Sequence, residues 1–495
     1  MIKASLACLG ALLALLMITS CAGPARTTEL ASINESSGYR YKTLEDKAPK
    51  KLDKAVVVLT FSGGGTRAAA LADGALHALA DTEVRAQGGA RLPLSSQVDL
   101  ISSVSGGSVT AAYFGLGGIA GLKKLEENFL DSNVTSKLVW RAIFNPLSFV
   151  FYPRIDLFDS FLDDEVFHHN TYQDLIEAEV PGRERRPYIV LNATDMASGS
   201  VFSFNQDQFD LICADLAKLK VADAVASSAA FPFALTALTL RNRAPCDAQR
   251  NAPQVDISGW TTAKDGWPEP TRIVADRDVD PIDGVNYPAA DNIARFRRGT
   301  VALTYLNRDQ KKNFIQLLDG GVADNLGLTL PFTSLTSLNE SPSFLSWLNM
   351  GKADKLLLVV VNARSQAEND FGQRSRPPGL KDTAIATIST PIDATSFQLL
   401  SKLDRLINKR FDPKAVVLVD FDLITDAACR AHFHNIGTWW TLKNDDVHDL
   451  IALGNAMVLQ SPNYQEFVRA VGGATPRPER SVAQICAGIA ARPVP

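Results

Sequence analysis

The chain has 495 residues, 46% hydrophobic and 21% charged, with a formal net charge of −4 at pH 7. That balance fits a globular protein with an ample core, in one large domain or two to three average ones. With no basic block standing out, composition argues against nucleic acid as a partner. In chain order, a targeting segment comes first: Lys3 supplies a positive start and Leu6 to Ile18 a short apolar core. That core is too short for a typical membrane span. Residues 21–54 are polar and charged, with Pro24 and Pro49, and read as a linker. Ala55 to Phe61 is a continuous valine-rich run, the pattern of a buried parallel strand. Arg67 to Leu79 is rich in alanine and leucine and predicts a helix, followed by a strand over Val98 to Val104 and a helix over Gly107 to Gly115. Further strands are expected at Pro187 to Asn192 and Val201 to Phe204, and a helix over Lys218 to Ala230, stopped by Pro232. From about 241 to 298 the chain is rich in Pro, Asp, Asn and Arg and reads as an irregular insertion. Strands are expected again at Val301 to Tyr305, Phe314 to Leu318, Leu356 to Val361 and Ala415 to Phe421, and helices at Phe397 to Ile407 and Val447 to Leu459. Alternating strands and helices of this kind predict an α/β sheet with helices on both faces. Residues 55–345 form its core, and 346–495 either complete the same sheet or form a cap.

Three places carry chemistry. Ser103-Val104-Ser105-Gly106-Gly107 joins a strand to a helix, and a serine at that sharp turn has its hydroxyl forced outward at the positive end of the helix. Upstream, Ser62-Gly63-Gly64-Gly65-Thr66-Arg67 follows another strand, and its glycine amides can converge on one space. A phosphate-binding turn is the alternative, but the run lacks the Gly-Lys-Ser ending of a P-loop and the full dinucleotide fingerprint. Downstream, Phe314 to Leu318 ends in Asp319-Gly320-Gly321. An aspartate leaving a buried strand can be turned back toward Ser105 by the glycines. Asp-Gly is also a common turn pair with no chemistry at all.

In that order, these pieces resemble the patatin-like phospholipase family. Two lesser blocks add to the likeness: Asn192-Ala193-Thr194-Asp195 and Ala226-Ser227-Ser228-Ala229-Ala230-Phe231-Pro232. The chain departs from the family at Ser103, where the elbow has glycine, and at Ala68, where glycine usually follows the arginine. The resemblance implies a three-layer, α/β-hydrolase-related sheet and a Ser105–Asp319 dyad in place of a triad. It implies an oxyanion hole from the amides of Gly63, Gly64, Gly65 and Gly106, with Arg67 shaping the loop. It also implies a lipid or phospholipid ester as substrate and neither metal nor cofactor.

Ile18-Thr19-Ser20-Cys21 resembles the lipobox of bacterial lipoproteins. That implies a signal peptide over 1–20, acylation of Cys21, and a membrane tether over 21–54. With Ala22 next, the expected location is the outer membrane, facing the periplasm. Cys213, Cys246, Cys429 and Cys486 then permit two disulfides in any of three pairings, or buried free thiols. His432, His434 and His448 follow Asp319, the chain order of a Ser-Asp-His triad, so an ordinary esterase is the alternative enzyme. A non-catalytic envelope binding lipoprotein on the same fold is the alternative outside enzymology. Ile143 to Leu162 carries six phenylalanines and tyrosines, read as core before acyl-pocket mouth, and Trp439-Trp440 as packing before membrane anchor.

Overall fold

The computed structural model describes residues 26–492 except 145–153, 178–186, 247–278, 289–300, 332–352, 366–374, 376–378, 380–395, 403–410 and a few shorter gaps. Residues 1–25, with the signal segment and Cys21, lie outside it, as does most of the expected insertion; within 241–298 a hairpin pairs Val279–Ile282 with Val285–Pro288.

Eight strands form one sheet: β1 (Ala55–Phe61), β2 (Leu100–Val104), β3 (Tyr188–Asp195), β4 (Ser200–Ser203), β5 (Leu238–Arg241), β6 (Phe314–Asp319), β7 (Lys355–Asn362) and β8 (Lys414–Asp420). Their order is β8-β7-β1-β2-β3-β6-β5, with β4 on β3. The five strands from β8 to β3 run parallel, while β6 is antiparallel to both β3 and β5. Every residue of β1 and of β3 is buried; β1 reads as a nearly continuous apolar run, whereas β3 ends in buried Asn192, Thr194 and Asp195. Helices flank the sheet. α1 (Gly65–Asp81) follows β1, α2 (Gly106–Leu125) follows β2, and α3 (Val221–Ser228) packs on β3 and β6. α4 (Asn444–Gln460) covers α1 so closely that a Cβ at Gly74 would meet the Ile451 carbonyl oxygen at 1.9 Å. β7 and β8 come from the last third of the chain, which therefore contributes to this same sheet.

Two expectations change. Val301, Ala302, Thr304 and Tyr305 are helical, not a strand. A short apolar run cannot be told from a buried helix turn by periodicity, and here it lays Tyr305 against Phe202 and Asp195. The described part of 21–54 is not a free tether. Arg26 pairs with Asp156, Asp159 and Asp223, Arg40 pairs with Asp207 and Asp210, and Tyr39 is 1% exposed against Tyr172 and Tyr188. Polar composition suggested a linker because the paired charges hide how few apolar residues, Tyr39, Tyr41, Leu44 and Leu52, are needed to dock the segment.

Of the three cysteine pairings, the protein forms Cys213–Cys246 and Cys429–Cys486. The second joins the helices Ala427–Asn435 and Val482–Ala490. Phe158 and Phe161 are core residues, and residues 145–153 of the aromatic stretch lie outside the described residues. The tryptophan pair divides: Trp440 packs 4.5 Å from Phe158, whereas Trp439 is 68% exposed.

Candidate active site

Ser105 caps the N-terminus of α2 at φ 52°, ψ −123°, a region that non-glycine residues rarely occupy. Such strain persists only where the surroundings hold it. Ser228 supplies much of the hold. Its hydroxyl accepts from the Ser105 amide at 2.8 Å and donates to the Asn192 carbonyl at 2.6 Å. Its own carbonyl accepts from the Gly320 amide at 3.0 Å. One buried serine thus ties the Ser105 turn, β3 and the Asp319 turn together. The Ser103 hydroxyl accepts from Ser108 at 3.2 Å in the same network. Ser228→Ala leaves a buried amide without an acceptor, an omission that costs about 1–3 kcal/mol. Urea unfolding of the variant is expected to show a loss in that range.

Asp319 ends β6, and its side chain bends back. Oδ1 accepts from the Gly321 amide at 2.7 Å, and the Ser105 side chain lies near enough to favour the ionised carboxylate. Its amide donates to Ala230 at 3.0 Å and its carbonyl accepts from Thr194 at 2.8 Å, so three segments fix this residue. Burial pushes Asp319 up to about 6, and the Gly321 bond and the Ser105 side chain pull only partly against that rise. The result is a carboxylate more basic than usual, beside a serine side chain.

The glycine loop lies beside this pair. A Cβ on Gly63 would sit 3.3 Å from the Ser105 Cβ. Gly65 takes φ 59°, and its carbonyl oxygen would lie 2.0 Å from a Cβ on Gly106, so the two motifs meet only because both positions are glycine. One expected donor drops out: the Gly63 amide donates to the Asn325 carbonyl at 3.3 Å. The amides of Gly64, Gly65 and Gly106 are left without such a partner among the described residues. Arg67 is 2% exposed, which rules out contact with a substrate phosphate. Its guanidinium donates to the carbonyls of Ala363 (2.7 Å) and Ile436 and to the Thr438 hydroxyl (3.0 Å), joining the loop to the ends of distant segments. Burial pulls it down to about 10, so it stays charged at neutral pH.

None of the candidate triad histidines meets Ser105 or Asp319. His434 pairs with Asp422 at 2.9 Å, His432 with Asp446 at 3.4 Å, and His448 with Asp131 at 3.3 Å. Asn325 is the residue that sequence reasoning missed. Its carbonyl takes the Gly63 amide, and its Oδ1 lies 2.9 Å from where a Cβ would stand on Gly63 and likewise on Gly321. It wedges the glycine loop against the aspartate turn. Its place six residues after Asp319, across a helical turn, was the available signal.

A mostly parallel sheet with a strained serine at one strand-to-helix turn, a buried carboxylate near it and a glycine loop alongside has the layout of an α/β protein of hydrolase type. The family model for patatin-like phospholipases matches residues 59–261 of the chain. That stretch holds the glycine loop and Ser105; Asp319 lies beyond it. No curated protein matches the chain. Among solved structures, a human GIVD cytosolic phospholipase A2 is similar at 12% identity over 95% of this chain and 69% of that one, with a TM-score of 0.39. A likeness at that score carries no argument here.

Proposed function

We propose that the protein is a serine lipid-acyl hydrolase of phospholipase A or lysophospholipase type, held at a membrane surface by a lipid on Cys21. The observation that carries the proposal is a buried carboxylate of raised basicity, Asp319, with the Ser105 side chain beside it. A serine hydroxyl is a poor nucleophile until a base takes its proton. Asp319 takes that proton as the Ser105 oxygen bonds to the ester carbonyl carbon. The amides of Gly64, Gly65 and Gly106 receive the oxyanion, and each such donor is worth about 2.7–4 kcal/mol in the transition state. Collapse breaks the ester bond, and the leaving alcohol takes the proton from Asp319. Water then attacks the acyl-enzyme, again giving a proton to Asp319, and the fatty acid leaves as Ser105 regains its hydrogen. The α2 N-terminus adds positive potential behind the nucleophile.

The membrane half of the proposal rests on the Ile18-Thr19-Ser20-Cys21 sequence and implies a periplasmic outer-membrane location. Two disulfides among the described residues suit such an oxidising compartment. Exposed Trp439, whose carbonyl accepts from the Thr66 amide of the glycine loop at 3.0 Å, suits a substrate presented at an interface. An anchored enzyme meets such a substrate at high local concentration. Product analysis of the purified full chain against phospholipids, lysophospholipids and neutral esters tests this reading. Release of free fatty acid is the expected result, and no turnover of any ester, with no labelling by a fluorophosphonate, would favour a binding lipoprotein.

A further inference from the structure

Away from Ser105, a second cluster joins the two helices that carry the glycine loop and the serine turn. Asp73 and His77 stand four residues apart on one face of α1. Glu126 opens a single π-helical turn, Glu126–Leu130, where α2 ends. Such turns are rare and recur at functional positions. His77 Nε2 lies 3.3 Å from Glu126 Oε1 and 3.7 Å from Asp73 Oδ2, and one ligand atom from each residue lies within 4.8 Å of the others. A tetrahedral zinc site with bonds of about 2.0–2.1 Å has ligand-to-ligand edges of about 3.3–3.4 Å. The second observation concerns Asp73 itself. It is 0% exposed, yet neither carboxylate oxygen has a hydrogen-bond partner. A buried carboxylate left so is costly unless a cation or a proton meets it.

We infer that Asp73, His77 and Glu126 hold a divalent cation of zinc character, with water completing the coordination. The donor set of one imidazole and two carboxylates suits zinc better than calcium or magnesium, which favour oxygen ligands alone. His77 and Glu126 side chains are 29% and 32% exposed, which gives the ion an entry path and an open coordination position. The ion ties α1, which begins at Gly65, to the π-turn that follows α2, on the far side of the break at Gly118. The inference does not depend on Ser105 being a nucleophile.

The test uses the full chain, stripped with a chelator and titrated calorimetrically with Zn²⁺, with Ca²⁺ and Mg²⁺ as parallel arms. One equivalent of zinc is expected, with a rise in Tm. The affinity should fall at least tenfold in His77→Gln and in Glu126→Gln, and stay unchanged in Ser105→Ala. His169→Ala is the control, because His169 with Asp163 and Asp164 forms the other metal-like cluster among the described residues; it should leave binding unchanged. Absence of zinc binding, binding retained in both Gln variants, or loss only in His169→Ala overturns the inference. So does preference for calcium or magnesium. A protein whose Tm rises in Asp73→Asn but ignores zinc has a shared proton or a charged His77 there instead.

Discussion

Ser105→Ala lowers kcat/KM for ester hydrolysis by at least about 10³-fold and abolishes fluorophosphonate labelling, with Tm close to that of the parent. The expected size follows from what the hydroxyl does. It is the atom that bonds to the substrate, and Ser105 is the serine that influences Asp319 among the described residues. Ser108 and Ser228 are near, but their hydroxyls are engaged with each other at 3.0 Å and with the framework. Stability is spared because the Ser105 backbone, held through its amide by Ser228, is what the fold uses. Alanine adopts the same positive φ with the same Cβ as serine, so the backbone strain is unchanged. Rates within tenfold of the parent, in a folded variant, would remove Ser105 from the mechanism.

Asp319→Asn is expected to reduce kcat/KM to a similar degree, and its pH behaviour separates base chemistry from geometry. The parent should gain kcat/KM as pH rises and reach a plateau above about 6, where burial holds the carboxyl. Asparagine keeps the shape and can still accept a hydrogen bond, but cannot take a proton at any of these pH values. Stability runs the other way. The folded value, about 6, exceeds the ordinary 3.8, so the folded state binds more protons than the unfolded one between those limits. The parent therefore loses stability as pH rises through that window, on the order of 3 kcal/mol, and stays level above it. The substituted amide does not ionise, so Tm of D319N relative to the parent should climb from pH 4 to pH 6. A variant that is inactive yet no less stable at pH 8 is the expected result. Full activity, or a pH limb unchanged in the variant, would take the base role from Asp319.

Much of this site was legible in the residues alone. Strand-turn-helix patterns at Phe61–Arg67 and Val104–Ala112 come from local periodicity and glycine content, so the two helix starts fell within a turn of their places. Asp319 was legible as a strand end because an apolar run stops there. The antiparallel setting of β6 was not, since register and direction depend on partners far away in the chain. The hydroxyl of Ser228 illustrates the limit. Its block stood out in the sequence, but its task appears only when three turns converge. Asp73 and His77 show the same limit at the second cluster. Four-residue spacing on a helix is commonplace, and Glu126 joins them only through the packing of α1 on α2.

The residue order by itself determined the α/β class, the serine turn, the glycine loop and the aspartate turn, because each is written in contiguous residues whose backbone preferences are local. Tertiary structure alone decided which amides stay free, which cysteines pair, and how basic Asp319 becomes. Those properties depend on burial and on partners brought together across hundreds of residues, and no window of sequence contains them.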